Sequence, residues 1–274
     1  MITRFFSGIV YIALVVLGIY ASRLLGNPVA GFLVFSGLML FFAVVGIHEV
    51  YRNLELRGHH PDKWAGFTLG ILTFVAITAG NILNLPAEFP LIVLGMWMLL
   101  PARMLFLKRE QPVVDMALTM LPLVWVVVPL LLLEIVGNRS LGLLMSLFIC
   151  TWASDTGAYL CGKAFGRHKL WERHSPKKTW EGTLGGALLA VVAGGVALPL
   201  LAPGLLWWYG ALVGLICTVA GTLGDLAESM FKRYCGVKDS GRIMPGHGGI
   251  LDRLDSVLLI APVMAALVAL AYIV

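Results

Sequence analysis

The stretch Ser229–Asp255, SMFKRYCGVKDSGRIMPGHGGILDRLD, runs directly into Ser256–Val274, SVLLIAPVMAALVALAYIV. The first segment carries Lys232, Arg233, Lys238 and Arg242 ahead of a Pro-Gly-His-Gly-Gly turn and closes on Asp-Arg-Leu-Asp; the second bears no charge. Two aspartates and an arginine at the mouth of a segment suited only to lipid place polar chemistry at a membrane boundary. The chain around this stretch has the same character. Of its 274 residues 59% are hydrophobic and 13% charged, with a mean hydropathy of +0.90. A soluble domain carries about a quarter charged residues, so the fold class expected is an all-α, polytopic integral membrane protein.

A membrane-crossing helix needs roughly 20 mostly apolar residues. That requirement is met near residues 5–25, 28–50, 64–83, 88–107, 113–134, 138–161, 182–202, 205–228 and 250–273, about nine spans, with the pair around Pro86 and Pro90 also readable as one broken hairpin. With the N-terminus in the cytoplasm, the loops on that side receive every Lys and Arg except Arg23 and Arg139, which the positive-inside rule favours. The C-terminus then lies outside. Residues 1–150 form the N-terminal transmembrane region, and 151–274 a catalytic region with two charged cytoplasmic loops, a division of function rather than of folding. The net charge of +5 suits an anionic membrane face or substrate; few aromatics interleave with the basic residues, so nucleic acid is not expected. The four cysteines have no Cys-x-x-Cys spacing and read as inert thiols.

Two loops hold the chemistry. One begins inside the sixth span, CTWASDTGAYLCGKAFGRHKLWERHSPKKTWEGTLGG, Cys150–Gly186; the other is the opening stretch, preceded by TLGDLAES, Thr222–Ser229. Asp155 falls about five residues before the expected helix end. Asp225 and Glu228, and again Asp252 and Asp255, are spaced i, i+3 and so share a helical face. Ionisable residues at membrane depth are costly and functional by default, although any one of these carboxylates alone also suits an interfacial ion pair that only holds helices together. Acidic pairs flanking concentrated positive charge suit a hard divalent cation, which takes one or two carboxylates and leaves its other positions to water and phosphate. Lysines and arginines nearby neutralise a polyphosphate during phosphoryl or nucleotidyl transfer. Gly248 and Gly249 let backbone approach a phosphate, and His247 among them is placed either to touch phosphate or to brace the turn. Ser175-Pro176 with Lys177, Lys178 and Glu181 reads as a helix start able to receive an anion; the order of a P-loop is absent. His48 and Glu49, near the end of the second span, read as an interfacial cap.

Ser229, Lys232, Arg233, Lys238, Asp239, Gly241, Pro245, His247, Gly248, Gly249, Asp252, Arg253 and Asp255 together resemble the signature of the CDP-diacylglycerol synthase (phosphatidate cytidylyltransferase) family of bacteria, with Met244 a mild departure. SPKKTWEG and GDLAESMFKR are similar to its bacterial members as well, and the resemblance covers about Trp152 to Asp255. It implies an inner-membrane enzyme of phospholipid synthesis, with a site open to the cytoplasm. The reaction would join CTP and phosphatidate to give CDP-diacylglycerol and pyrophosphate with magnesium, a second, monovalent cation being open. It also implies a homodimer. Carried over residue by residue, it points to Asp225 and Asp252 as the metal centre, with Glu228 and Asp255 as further candidate ligands. Lys238 and Arg253 become catalytic candidates. Asp155, Ser175, Lys177, Lys178, Lys232, Arg233, His247, Gly248 and Gly249 become candidates for substrate binding. Two other readings stand beside it. An ion-coupled transporter predicts inverted repeats, which the concentration of charge after Asp155 does not suit. A CTP-dependent lipid kinase would move a phosphoryl rather than a cytidylyl group.

Overall fold

A computed structural model describes residues 2–86, 88–244 and 248–271. They form α1 (Ile2–Leu25), α2 (Pro28–Leu56), α3 (Lys63–Ile82), α4 (Phe89–Phe106), α5 (Pro112–Arg139), α6 (Leu141–Phe165), α7 (Trp180–Leu201), α8 (Trp207–Tyr234) and α9 (Leu251–Ala271). A two-stranded antiparallel hairpin, β1 (Lys169–Trp171) and β2 (Ser175–Thr179), lies between α6 and α7, with Lys169 opposite Thr179 and Trp171 opposite Ser175. Among the described residues, α1 to α8 are long and apolar enough to cross a membrane. α9 is a further long helix that opens on Asp252, Arg253 and Asp255 and is apolar beyond them. The chain is an all-α polytopic membrane protein, as its hydropathy predicts.

Local chemistry sets the ends. Asn27 caps α2, its Oδ1 accepting from Val29 N (3.0 Å) and Ala30 N (3.1 Å), with Pro28 preset for the first turn. The helix runs six residues past its expected end at residue 50, because VYRNLEL favours helix and nothing stops it before Gly58, whose φ of +86° only glycine adopts freely. Ser140 caps α6 through Leu143 N at 3.1 Å, and that helix ends at Phe165 rather than 161, which leaves more helix after Asp155 than expected. α4 tightens to a 3-10 turn at Met96–Met98. α5 carries a π turn at Leu123–Val127, between Pro122 and Pro129, where proline removes a helix donor.

Expectation and structure part at Ser175. Pro176 confines Ser175 to extended backbone, the segment pairs with β1, and the helix begins only at Trp180, where Thr179 Oγ1 accepts from Gly182 N at 3.2 Å. The helix start assigned to Ser175 therefore belongs to Thr179.

The chain divides into two compact units. Ala21–Leu131 and Tyr234–Asp252 make up most of the first, and Leu132–Arg233 with the chain from Arg253 onward most of the second. In the first, α2, α3, α4 and the N-terminal part of α5 pack about Phe42, Ile47, Tyr51 and Phe74, all nearly inaccessible, and Tyr51 Oη donates to Thr119 O at 2.7 Å. In the second, α6 and α7 pack most closely. A Cβ on Gly157 would lie 2.7 Å from Gly185 O, and one on Gly186 2.7 Å from Ser154 O, so the contact is backbone on backbone, as small residues permit in membranes.

Candidate functional site

The second unit contains a cavity of about 380 Å³, within the range of small-molecule sites, roughly 300–1,000 Å³. Thr151, Ser154, Asp155, Ala158 and Gly162 reach it from one face of α6. Cys217, Gly221, Thr222 and Asp225 reach it from one face of α8. β2 supplies Lys177 and Lys178, α7 its first turn, and α9 Ser256. The hairpin that brings the lysines is held at its base by Glu181, whose carboxylate accepts from Arg167 N (3.1 Å) and His168 N (3.2 Å) and pairs with His168 Nδ1 (2.5 Å).

Lys178 Nζ lies 2.6 Å from Asp225 Oδ2 and donates to Thr222 O at 3.4 Å, while Asp225 Oδ1 accepts from Ser229 Oγ at 3.3 Å. Asp155, Asp225 and Asp255 lie within one another's electrostatic reach, with Lys178 and Arg253 opposing them at Asp155 and Lys232 opposing them at Asp255. Like charges this close need cations. The lysine already on Asp225 stands where positive charge is required.

Asp252 lies in the first unit, where one of its oxygens binds its own loop. Its Oδ2 accepts from Ser240 N (2.8 Å), Ser240 Oγ (2.9 Å) and Gly249 N (2.8 Å), tying the loop before α9 to that helix's first turn. The family resemblance pairs Asp225 with Asp252 as metal ligands; in the structure Oδ2 of Asp252 is engaged by its own loop, and Asp155 and Asp255 lie in the field of Asp225. An i, i+3 pair shares a helical face, but sequence does not tell which member a loop will claim.

Glu228 is fully buried and pairs with Lys232, one turn on, at 2.5 Å, and neither is among the residues that line the cavity. Ser175 is half-buried at the start of β2, outside the cavity lining. Lys238 and Arg233 are exposed, and Arg253 is half-buried on the first turn of α9. Gly248 has a φ of +86°, and a Cβ there would collide with the Asp252 carboxylate, so its glycine is required by the turn itself. Gly249 packs against Ser240 and Glu49. His247 and Pro245 lie outside the described residues. Sequence reasoning passed over Thr151, Ser154 and Thr222; their only signal was hydroxyls recurring on the face of a span that also carries an aspartate.

Among the described residues no cluster of three His, Cys, Asp or Glu side chains forms a ready-made metal cage. Magnesium does not need one. It binds one or two carboxylates and keeps its other positions for water and phosphate, and Asp155 and Asp225 present hard oxygens on the cavity wall. The donor set fits that ion.

Comparison with known proteins gives a consistent result. The model of a family described as "Cytidylyltransferase family" matches residues 2–271. The chain is similar to the phosphatidate cytidylyltransferase of Staphylococcus haemolyticus, 48% identical over 130 residues, which cover 47% of this chain and 50% of that protein. It is also similar to the enzymes of that name from Staphylococcus saprophyticus, at 38%, and Staphylococcus aureus, at 40%, each over 157 residues that cover 57% of this chain and 60% of the relative. The chain thus spans about half to three fifths of the length of the curated relatives it matches.

Proposed function

Because the chain belongs to the cytidylyltransferase family, we propose that it transfers the cytidylyl group of CTP to phosphatidate, giving CDP-diacylglycerol and pyrophosphate. The observation that carries this reading is the Lys178–Asp225 pair on the wall of a cavity shared by Asp155 and Lys177. Such a wall offers cations to a polyphosphate and carboxylates to a divalent metal, on helices apolar enough to sit in lipid. One substrate is a soluble nucleotide and the other a lipid, so their phosphates meet only at the membrane boundary. The site faces the cytoplasm of a bacterial inner membrane, the side to which the positive-inside rule assigns both charged loops.

In the proposed step a phosphatidate phosphate oxygen forms a bond to the α-phosphorus of CTP while the bond from that phosphorus to the β-bridging oxygen breaks in line. The electron pair leaves with pyrophosphate. A phosphate monoester has a second pKa of about 6, so the nucleophile is largely dianionic at neutral pH and needs no strong general base. What remains for the protein is positioning and charge neutralisation. Lys177 and Lys178 hold the triphosphate, Thr222 and Ser154 offer hydroxyls to it, and Arg253 faces the acids. Asp225 and Asp155 would hold magnesium, which supplies Lewis-acid polarisation and charge cancellation at the phosphates. Purified protein should form CDP-diacylglycerol from CTP and phosphatidate only when magnesium is present. Formation undiminished in excess chelator would refute the metal's part, and no formation under any condition would refute the reaction.

A further inference from the structure

Glu49 lies on α2 and is 2% exposed. Its Oε1 accepts from Ile250 N (3.0 Å), and its Oε2 from Leu251 N (2.9 Å) and from Ser240 Oγ (2.9 Å), whose single proton it shares with Asp252 Oδ2. One turn further along α2, Asn53 Nδ2 donates to Ser240 O at 3.0 Å. These contacts join residues nearly two hundred positions apart, all inside the first unit.

A carboxylate buried to this degree costs several kcal/mol unless donors satisfy it. Here they are a serine hydroxyl and two backbone N–H groups at the start of α9, groups that a helix leaves unsatisfied at its N-terminus and whose dipole favours negative charge. The loop is shaped to admit the carboxylate. A Cβ on Gly241 or on Gly249 would collide with the Glu49 side chain, so glycine at both positions lets Glu49 sink between the two ends of the loop. Beyond that point the loop closes on itself, Met244 N donating to Gly248 O at 3.0 Å. Its base is therefore pinned at Ser240, Ile250 and Leu251. Lys238 and Arg242 lie on the pinned segment, and Asp252, Arg253 and Asp255 on the helix turn it starts.

We propose that Glu49, with Asn53 beside it, is a positioning residue that clamps residues 238–244 and 248–250 and the first turn of α9 for catalysis. Its catalytic consequence rests on the cytidylyltransferase reading above; the clamp itself does not. Glu49→Gln keeps the size but points an NH2 at donors, so part of the set loses its acceptor. The full chain in detergent is tested in two ways. Trypsin should nick Glu49→Gln after Lys238 and Arg242 at least ~10-fold faster than wild type, as expected when a buried charge-assisted set is broken, with nicking in the 163–178 hairpin unchanged. The kcat for CDP-diacylglycerol formation should fall ~10-fold or more while the KM for CTP changes less than about threefold, the split expected of lost positioning. Glu49→Asp should restore part of both. Asn53→Ala, which removes a single bond and spares the carboxylate, should show the same split more weakly and serves if Glu49→Gln does not fold. Unchanged nicking in folded Glu49→Gln or Asn53→Ala would overturn the clamp. Faster nicking with normal kcat would overturn the positioning role alone. An inactive wild type would remove the cytidylyltransferase reading, and the nicking ratio would then decide the clamp by itself.

Discussion

Lys178→Met removes one charge from the cavity while keeping the length of the side chain. In the structure that ammonium is 2.6 Å from Asp225 Oδ2, with side-chain exposures of 24% and 33%. A pair this open to water contributes about 1 kcal/mol or less to folding, so the variant should melt close to wild type. Its effect on nucleotide binding is larger. A hydrogen bond to a charged group is worth ~1.5–3 kcal/mol, and each ~1.4 kcal/mol is tenfold, so the KM for CTP should rise about 10–150-fold. The KM for phosphatidate should move less than about twofold, because Lys178 is assigned to the triphosphate. Lys178→Arg keeps the charge and should recover part of the loss. The assay is initial-rate formation of CDP-diacylglycerol with each substrate varied at saturating levels of the other. Equal effects on both substrates, or a loss below about threefold, would refute this placement of Lys178.

Asp225→Asn should nearly abolish turnover with little change in melting, whereas Asp252→Asn, which weakens a carboxylate oxygen accepting from three donors, should cost about 1–3 kcal/mol of stability, read as a lower melting temperature and faster loop proteolysis; the reverse pattern would restore Asp252 to the metal. In otherwise Cys-free protein, Glu172→Cys and Ile243→Cys, both at exposed positions, should resist an impermeant thiol reagent applied from the outer face and react once the membrane is opened; labelling of intact cells would invert the topology. Burial pushes the Cys235 thiol up to about 11, against the opposing pull of Arg57. At pH 7.5 it should therefore hold ~100-fold less thiolate than an ordinary thiol and alkylate correspondingly slowly, the rate still climbing above pH 9; a rate that levels off near pH 9 would contradict that environment.

Much of this architecture was legible in the sequence because the bilayer imposes one requirement, long apolar runs, and the runs are there. Helix boundaries shifted where capping chemistry outranked hydropathy, as at Gly58 and Ser140. The hairpin at 169–179 was not legible: its strands are short and polar, with no buried face to impose an alternating pattern, and only the proximity of α6 to α7 gives them a pairing partner. Of the site, the residues on apolar helices, Asp155 and Asp225, were visible as charges out of place. Lys177 and Lys178 were visible by composition, although the strand carrying them was read as a helix start. The i, i+3 spacing alone does not separate Asp252 from Asp255, since both share one face; the loop's donors distinguish them. Glu49 was seen as a cap, but a residue in the second span carries no local sign that the helix it caps begins two hundred positions later.

Transfer of the cytidylyl rather than the phosphoryl group can be read by following two labels. With CTP labelled at the α-phosphorus or at the γ-phosphorus, and with phosphatidate and magnesium, α-label should appear in the lipid product and γ-label only in pyrophosphate. γ-Label in the lipid, with CDP released, would contradict it and make the protein a lipid kinase.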